Sequence, residues 1–570
     1  MALGAALVPG VSFAQFQAVE ADARSVPWSS VTRLALEAGA FPPAYRPVTE
    51  GELARLLATV QAKALNGEAD GLADDPEYAR LLWLLDRYER GGGGKSFHGC
   101  PCKVHPPHLR LSGRVVGGFS ELADPVPFEG GLSFAAGHNV YFEPAFEFAA
   151  GSFWAAGNFR LGGRWADGGV DFTEPGRDSD PLTWPGWNRA TGREDVRDAR
   201  LSNGAWQGQV TRALVGMQLG RWAVSAGWDQ RRTGPGLTGN LNLDYQGRPF
   251  PALTARRTEP FHWRGIMTHL APDQTLLRAG ILSERTVTYH DSVEQFSKQA
   301  HPWFMQWLVG WNVTSWFRAD FTHTVMVTAR DSTLWPDLLQ INFPLVGTTW
   351  REMESGPITD RIFAAQFEFR WRDAPWPVLP STAGRLFWDY GGTDFLPSGP
   401  GGVVPEISIP ASIVGFELVS PRWDLAFEYA ELQHDKVLWY TNGGYREGYS
   451  QEQTLMGHPL GGSGEAITGL VRLRPGQRDW QLGLQGKLAT WGMKGHTPGE
   501  GERRSVGLTW GRTPRAETID NEAAPAAPLL WEITAEWNRE MADPSAFLKF
   551  PPPGSEVARN WWRLIFKVGI

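Results

Sequence analysis

Tryptophan and carboxylate side chains are concentrated between residues 167 and 200, in a segment that is acidic and lacks a strand pattern. An indole ring can stack on the C–H face of a sugar, and carboxylates accept hydrogen bonds from sugar hydroxyl groups. The segment therefore indicates either a glycan-binding loop or a solvated loop that folds into the mouth of its domain. A glycan site here would use Trp184, Trp187, Asp178 and Asp180.

The only two cysteines, Cys100 and Cys102, lie close to His98, His105 and His108. These residue types could bind zinc or copper, but Cys-x-Cys is not the usual zinc spacing, and the neighbouring prolines indicate a linker. A local disulfide or two idle thiols fits the segment better. We predict neither a metal site nor a cofactor.

Two adjacent arginines precede a stiff turn. Arg231 and Arg232 could hold a carboxylated sugar, or they could pair with acidic side chains that face the interior. The turn itself, formed by Gly234, Pro235 and Gly236, suits a tight chain reversal because glycine tolerates positive φ angles and proline fixes its own. We interpret it either as a strand-to-loop corner or as a turn that faces a ligand.

His458 is a candidate catalytic base. No serine or cysteine partner is identifiable for it, and the sequence has no Gly-x-Ser-x-Gly motif. Counting alone leaves a glycosidase pair open among the many carboxylates. We nevertheless predict a non-catalytic protein in which His458 has a turn or hydrogen-bonding role.

From residue 108 onward, apolar and polar residues alternate with the period of two that is typical of β-strands. A soluble β-sandwich also alternates, but its dry core would not accept unpaired charges at the alternate positions. We therefore predict a mainly β fold, a large closed antiparallel transmembrane β-barrel of about 16–18 strands. One predicted strand would turn Phe363, Phe367, Phe369 and Trp371 outward and Glu368 inward.

The C-terminal residues favour the same architecture. Trp562, Leu564, Phe566, Val568 and Ile570 alternate with a second set of residues up to the end of the sequence. Outer-membrane barrels commonly finish with such a strand, which the barrel-assembly machinery reads. No window of about 18 unbroken apolar residues exists, so a closed barrel is the structure left for spanning a membrane.

Residues 27–90 have helical periodicity instead. Thr49 and Glu52 form a capping box before one apolar face, and Gly39 ends the preceding run. The unit is small and needs a larger partner to bury its leucines, which include Leu53 and Leu56. We divide the chain into a signal-peptide remnant (1–14), an N-terminal helical domain (15–90), a linker (91–107) and the barrel (108–570). The net charge of −8 and the absence of basic runs exclude nucleic acid as an expected partner.

Several segments resemble the capsule assembly protein Wzi family. The strand that begins at Trp222 leads into Gly234, Pro235 and Gly236, as in the family's Trp-Gly-Pro-Gly segment, with Thr233 in the place of the usual tryptophan. A second match follows a strand with the sequence Glu-Tyr-Ala at residues 428–430. It consists of Tyr445, Gly448 and Tyr449, followed by Gly457 and His458.

The resemblance implies a monomeric barrel of about 18 strands, with a helical bundle that plugs the periplasmic end. The implied function is lectin-like and non-catalytic: attachment or assembly of capsular or other surface polysaccharide at the bacterial outer membrane. The expected partners are that polysaccharide, outer-membrane lipid and the barrel-assembly machinery. The alternative is an outer-membrane porin or transporter of small solutes, and an outer-membrane enzyme is a third possibility.

Overall fold

A computed structural model gives the fold of the protein. It describes residues 28–46, 49–65, 78, 81, 108–120, 137–165, 206–229, 231–244, 248–257, 272–290, 295–328, 358–372, 382–398, 404–432, 439–440, 445, 449–451, 454–460, 464–475, 480–491, 501–512, 530–542 and 557–569.

Eighteen strands form one closed antiparallel barrel, and its last strand pairs with its first. This result confirms the predicted fold class. The barrel strands are β2 (His108–Ser120), β3 (Gly137–Ala150), β4 (Phe153–Trp165), β5 (Trp206–Leu219), β6 (Trp222–Asp229), β8 (Phe250–Arg257), β9 (Gln274–Ile281), β12 (Trp303–Asn312), β13 (Phe317–Thr328), β14 (Ile358–Trp371), β15 (Ala383–Ser398), β16 (Val404–Val419), β17 (Trp423–Glu431), β20 (Gly464–Leu473), β21 (Trp480–Trp491), β22 (Gly501–Arg512), β23 (Leu530–Ala542) and β24 (Val557–Gly569).

Two helices and six short strands lie outside this ring in the described part of the chain. The short strands form three antiparallel pairs, β1 with β7, β10 with β11, and β18 with β19. These elements are α1 (Trp28–Glu37), β1 (Tyr45–Arg46), α2 (Glu50–Leu65), β7 (Arg232–Thr233), β10 (Arg285–His290), β11 (Gln295–Ala300), β18 (Ser450–Gln451) and β19 (Thr454–Leu455). Neither described helix is long and apolar enough to cross a membrane.

The two ends of the barrel differ in the length of their connections. At one end, β3–β4, β5–β6, β12–β13 and β16–β17 are each joined by two to four residues. We call this the short-turn end, and β24 finishes there. The opposite, long-connection end carries the longest connections, among them residues 166–205 and 329–357, although residues 258–273 and 513–529 also join strands at the short-turn end.

Alternation along the strands separates an apolar outer surface from a polar interior. On β21 and β22, Leu484 and Leu508 face outward and are 52% and 49% exposed, which suits contact with lipid. On β14, Phe369 faces outward while the alternate residues Gln366 and Glu368 are buried inside. The predicted outward face of this strand is therefore confirmed.

The N-terminal helices have a small core of their own, in which Val31 and Leu34 of α1 pack against Leu53 and Leu57 of α2. The predicted helix signals are present. The capping box of α2 forms, with the backbone N of Thr49 donating to Glu52 Oε2 at 2.9 Å. After α1, Gly39 has a φ of +65°, the left-handed conformation that commonly ends a helix.

This N-terminal unit contacts the barrel at the short-turn end. Leu36 of α1 packs against Ala383 and Val419, which lie at the first residue of β15 and the last residue of β16. Arg318, near the start of β13, donates to the carbonyl oxygen of Pro42 at 2.6 Å. The chain that follows α1 then continues into the barrel.

Candidate functional site: the lumen and its inward-folded segments

The connection between β6 and β8 crosses the interior of the barrel. We call residues 231–244 the lumenal segment; all of it is buried except residues 237 and 238, which are half-buried. Its strand β7 pairs with β1, which places Thr233 opposite Tyr45. In addition, the backbone N of Gly234 donates to the carbonyl oxygen of Ala44 at 2.9 Å. The lumenal segment and the N-terminal chain therefore meet inside the barrel.

The Gly-Pro-Gly turn (residues 234–236) is an internal corner of this segment. Arg385 donates to the proline carbonyl at 3.1 Å, and the second glycine donates its N–H to Asn240 Oδ1 at 2.9 Å. The first glycine has a φ of +124°, and a Cβ at this position would overlap Asn240. All three turn residues are buried, so a ligand could reach the turn only if the interior opened.

Glu428 on β17 anchors the lumenal segment to the barrel wall. Its carboxylate accepts hydrogen bonds from the backbone N of Leu237 and from both the backbone N and the hydroxyl group of Thr238. Asp389 on β15 adds a further contact, accepting from the backbone N of Leu241 at 3.2 Å. Charge-assisted hydrogen bonds of this kind are stronger than neutral ones. These carboxylates therefore fix the position of the lumenal segment along the barrel axis.

A second connection, between β17 and β20, also folds inward. The hydroxyl group of Tyr440 donates to the carbonyl oxygen of Leu241 and accepts from the backbone N of His458, both at 2.9 Å. The backbone N of Asp244 donates to the carbonyl oxygen of Met456 at 2.7 Å. Apolar side chains of both inward segments pack in one buried cluster with the barrel wall, including Leu241, Leu243, Trp439, Tyr440, Tyr445, Tyr449, Met456 and Leu460.

His458 is buried between the two inward segments. Its Nδ1 accepts a hydrogen bond from the backbone N of Leu460 at 3.1 Å, and its Nε2 lies 3.3 Å from the hydroxyl oxygen of Thr238. Burial lowers the pKa of His458, while the nearby Glu428 carboxylate opposes this effect. A neutral ring that accepts at Nδ1 carries its proton on Nε2. In this state His458 cannot take a proton from Thr238, and it acts as a hydrogen-bonding residue.

Arg231 and Arg232 are buried beside acidic side chains. Arg231 Nη2 lies 3.3 Å from Asp229 Oδ2, and Arg232 Nε lies 3.7 Å from Asp244 Oδ1. Arg232 also donates to the carbonyl oxygen of Gly236. Of the two roles predicted for these arginines, the geometry shows ion pairing with acidic side chains. Contact between the arginines and a polysaccharide stays a prediction, and it requires the lumen to open.

Four of the predicted sugar-binding residues, Trp184, Trp187, Asp178 and Asp180, lie outside the described residues, as does the motif residue Gly448. The cysteine-histidine segment at residues 98–108 also lies outside them, apart from its last residue, His108. In the described part of the chain, no group of three histidine, cysteine or acidic residues is placed to hold a metal ion.

Sequence reasoning missed the residues that hold the lumenal segment in place. Glu428 belongs to a recognised Glu-Tyr-Ala strand motif, but nothing local links it to Leu237 and Thr238, about 190 residues earlier. Tyr440 lies between strands and has a φ of +61°. A bulky residue in this conformation is unusual, and its position carries no periodic signal that would reveal its buried role.

The fold and the arrangement of the interior define an outer-membrane type of β-barrel whose lumen is partly filled by its own connections. A model of the capsule assembly protein Wzi family matches residues 128–510. The chain belongs to this family, and the resemblance of its motifs is confirmed.

Solved structures also match the chain. Wzi of Escherichia coli, an outer membrane protein involved in group 1 capsule assembly and described as a carbohydrate-binding β-barrel, is 13% identical, with 97% of this chain and 98% of that chain covered and a TM-score of 0.59. OccAB2 of Acinetobacter baumannii (8% identity, 82% and 98% covered, TM-score 0.44) and OprD of Pseudomonas aeruginosa (10%, 84% and 99%, TM-score 0.42) also match. Among curated proteins, no match was found.

Proposed function

We propose that the protein is a non-catalytic outer-membrane protein that attaches or assembles capsular or other surface polysaccharide at the bacterial cell surface. Membership of the capsule assembly protein Wzi family supports a capsule-related role in the outer membrane. The similarity in fold to Wzi of Escherichia coli, a carbohydrate-binding barrel, supports polysaccharide as the class of partner.

The observation that carries this proposal is the occupied interior. The lumenal segment crosses the barrel and is fixed to its wall by Glu428, Asp389 and Arg385. Free diffusion of solutes through the middle of the barrel would require these contacts to break. A barrel built in this way serves better as a rigid scaffold for the segments at its long-connection end than as an open pore.

The lengths of the connections orient the barrel in the membrane. Transmembrane β-barrels commonly have short periplasmic turns and longer extracellular loops. We therefore place the short-turn end and the N-terminal helices in the periplasm. The long-connection end, which includes residues 166–205, then lies at the cell surface, where polysaccharide is found.

Replacement of Trp184 and Trp187 together by alanine tests the proposed binding loop. We expect release of surface polysaccharide at an unchanged amount of folded barrel, because stacking and a few charge-assisted hydrogen bonds supply the affinity for each repeat unit. The matched control replaces Trp510 and Trp562, which are exposed on the outward surface. If the first double variant keeps a normal polysaccharide layer at normal protein level, this loop is not the site.

Conductance in a planar lipid bilayer separates the proposed function from that of a porin. The intact protein should show no steady open current, because the lumenal segment crosses the interior and the N-terminal helices lie against the short-turn end. Steady open currents would favour the porin, and release of products from glycans or lipids would favour an enzyme.

A further inference from the structure

The outward face of β22–β24 carries a row of polar side chains near the long-connection end. The strand register places Arg504 opposite Arg539, and Arg539 opposite Asn560. All three residues are exposed, and the side chain of Arg504 is 60% exposed. The alternate residues Arg503 and Asn538 are buried inside the barrel, so the row faces away from the lumen. We call Arg504, Arg539 and Asn560 the arginine row.

We propose that the arginine row binds the phosphorylated headgroup of a glycolipid in the outer leaflet of the membrane, with the acyl chains of this lipid on the apolar wall beneath the row. The site rests on the orientation proposed above, because the long-connection end must face the outer leaflet. It does not rest on the attachment of surface polysaccharide, which is assigned to the long connections and not to the lipid-facing wall.

The arginine row lies at the edge of the apolar band of the barrel. On β22, Val506, Leu508 and Trp510 follow Arg504 at alternate positions and are 47%, 49% and 47% exposed. The next outward residue is Arg512 at the short-turn end, about 27 Å along the strand from Arg504. At the strand tilt of about 40° that is usual in membrane barrels, this is about 20 Å across the membrane, close to the apolar band of about 25 Å. The two arginines therefore mark the two edges of the band.

The two arginines of the row repel each other. Side chains directly opposite on one face of an antiparallel pair have Cβ atoms about 5 Å apart, and like charges in this position destabilise the sheet. Glu502 forms an ion pair with Arg504, but this pair is exposed, and exposed pairs are weak. Two arginines and one glutamate leave one net positive charge. A phosphate group between the two guanidinium groups would relieve the repulsion.

The width of the arginine row fits a phosphorylated sugar better than a single phosphate group. Three adjacent strands, spaced about 4.8 Å apart, spread the row over about 10 Å. Guanidinium groups bind phosphate oxygens through two parallel N–H donors. At the end of the row, the amide group of Asn560 offers donors and an acceptor to sugar hydroxyl groups. Such a row above an apolar wall matches a phosphorylated sugar that carries acyl chains.

The neighbouring sector of the wall would repel the same headgroup. Glu431 on β17 and Glu465 on β20 lie opposite each other, on the same outward face as the exposed Ile467. The register through β21 places Glu465 one row farther out than Arg504. Two carboxylates disfavour a phosphate group beside them. The charges of the wall therefore confine the headgroup to β22–β24.

Lipid binding to the full-length protein in detergent micelles tests the site, with native mass spectrometry to count the bound lipid. The probe is bis-phosphorylated lipid A, and the test variant combines Arg504→Gln with Arg539→Gln. The matched control combines Arg221→Gln with Arg512→Gln, which removes two exposed arginines at the short-turn end. We expect the test variant to bind lipid A on the order of tenfold more weakly than the unchanged protein, because it loses charge-assisted hydrogen bonds. The control should bind lipid A normally.

A charge-conserving variant tests whether the arginines act through their charge. Arg504→Lys combined with Arg539→Lys keeps both positive charges but not the planar guanidinium groups. This variant should bind lipid A more tightly than the glutamine variant, and binding as weak as in the glutamine variant would contradict the proposal. All variants should melt at the same temperature without lipid, because replacements of exposed residues change stability little.

Two related lipids test the class of ligand. Lipid A without its phosphate groups should bind equally to the unchanged protein and the glutamine variant, and phosphatidylglycerol should distinguish the two proteins less than lipid A does. If the glutamine variant binds bis-phosphorylated lipid A as tightly as the control variant, the arginine row is not a lipid site. If phosphatidylglycerol distinguishes the two proteins as strongly as lipid A, the row accepts any anionic lipid and the proposal of a glycolipid site fails. Either failure leaves the proposed polysaccharide attachment standing, since lipid binding by purified protein does not measure it.

Discussion

Replacing Tyr440 by phenylalanine should loosen the two inward segments from each other while leaving the barrel intact. The Tyr440 hydroxyl group makes hydrogen bonds of 2.9 Å to Leu241 and His458, and the residue is fully buried. The variant keeps the aromatic ring but leaves a carbonyl oxygen and an amide without this partner. A buried polar group without a partner costs about 1–3 kcal/mol, so two of them cost about 2–6 kcal/mol in the local stability of the lumen.

Hydrogen exchange at the His458 amide measures this loss directly, because the Tyr440 hydroxyl group is its acceptor. A local destabilisation of about 2 kcal/mol corresponds to exchange about 30-fold faster. Tyr390→Phe is the control, since Tyr390 is half-buried on the outward face of β15 beside Trp388. An unchanged rate at His458 in a folded Tyr440→Phe barrel would show that this hydroxyl group does not hold the segments together.

Three further predictions concern the same interior. Deleting residues 15–90 should raise the conductance of the barrel in a lipid bilayer, and equal conductance of the intact and truncated proteins would exclude a plug. Gly457→Ala should lower the melting temperature, because its Cβ overlaps an aromatic ring and overpacking costs about 1–3 kcal/mol; Gly469→Ala, with open space, should melt normally. Burial lowers the pKa of His458, so the His458 side chain binds a proton more readily when the lumen is open than when it is closed. The contribution of neutral His458 to the stability of the closed lumen should be complete above about pH 6.5 and lost as the pH falls. The melting temperature should therefore fall with pH in this range, and His458→Asn should lack this step.

The barrel was predictable from the sequence because lipid contact imposes a strict alternation on every strand. Leu482, Leu484 and Leu488 show it on β21, and all three are outward and exposed. The short strands inside the lumen were not predictable in the same way. β7 has only two residues, both buried, so neither a period nor an apolar face marks it.

Ion pairing inside the barrel shows why proximity in sequence is a poor guide to which charged side chains pair with each other. Arg370 follows Glu368 by two residues on β14, so the two charges are neighbours in the sequence. In the structure, Arg385 of the neighbouring strand reaches Glu368 at 2.8 Å, while Arg370 lies over the ring of Phe41 at 4.6 Å. Alternate residues on a strand are about 7 Å apart, and residues on adjacent strands are closer. Such pairs depend on the strand register, which alternation alone does not provide.

The departure at Thr233 from the tryptophan usual in the family has a structural reason in this chain. Thr233 is fully buried opposite Tyr45, and its hydroxyl oxygen accepts a hydrogen bond from Gln306 at 3.3 Å. An indole ring at this position would have to displace the N-terminal strand or the barrel side chain, so the small residue is matched to the contact between the lumenal segment and the N-terminal chain. We infer that variation in this motif follows the packing of the interior. The determinants of the proposed polysaccharide binding are then to be sought in segments that the motif does not contain. Residues 166–205, with their tryptophans and acids, are the first to test by exchange between family members.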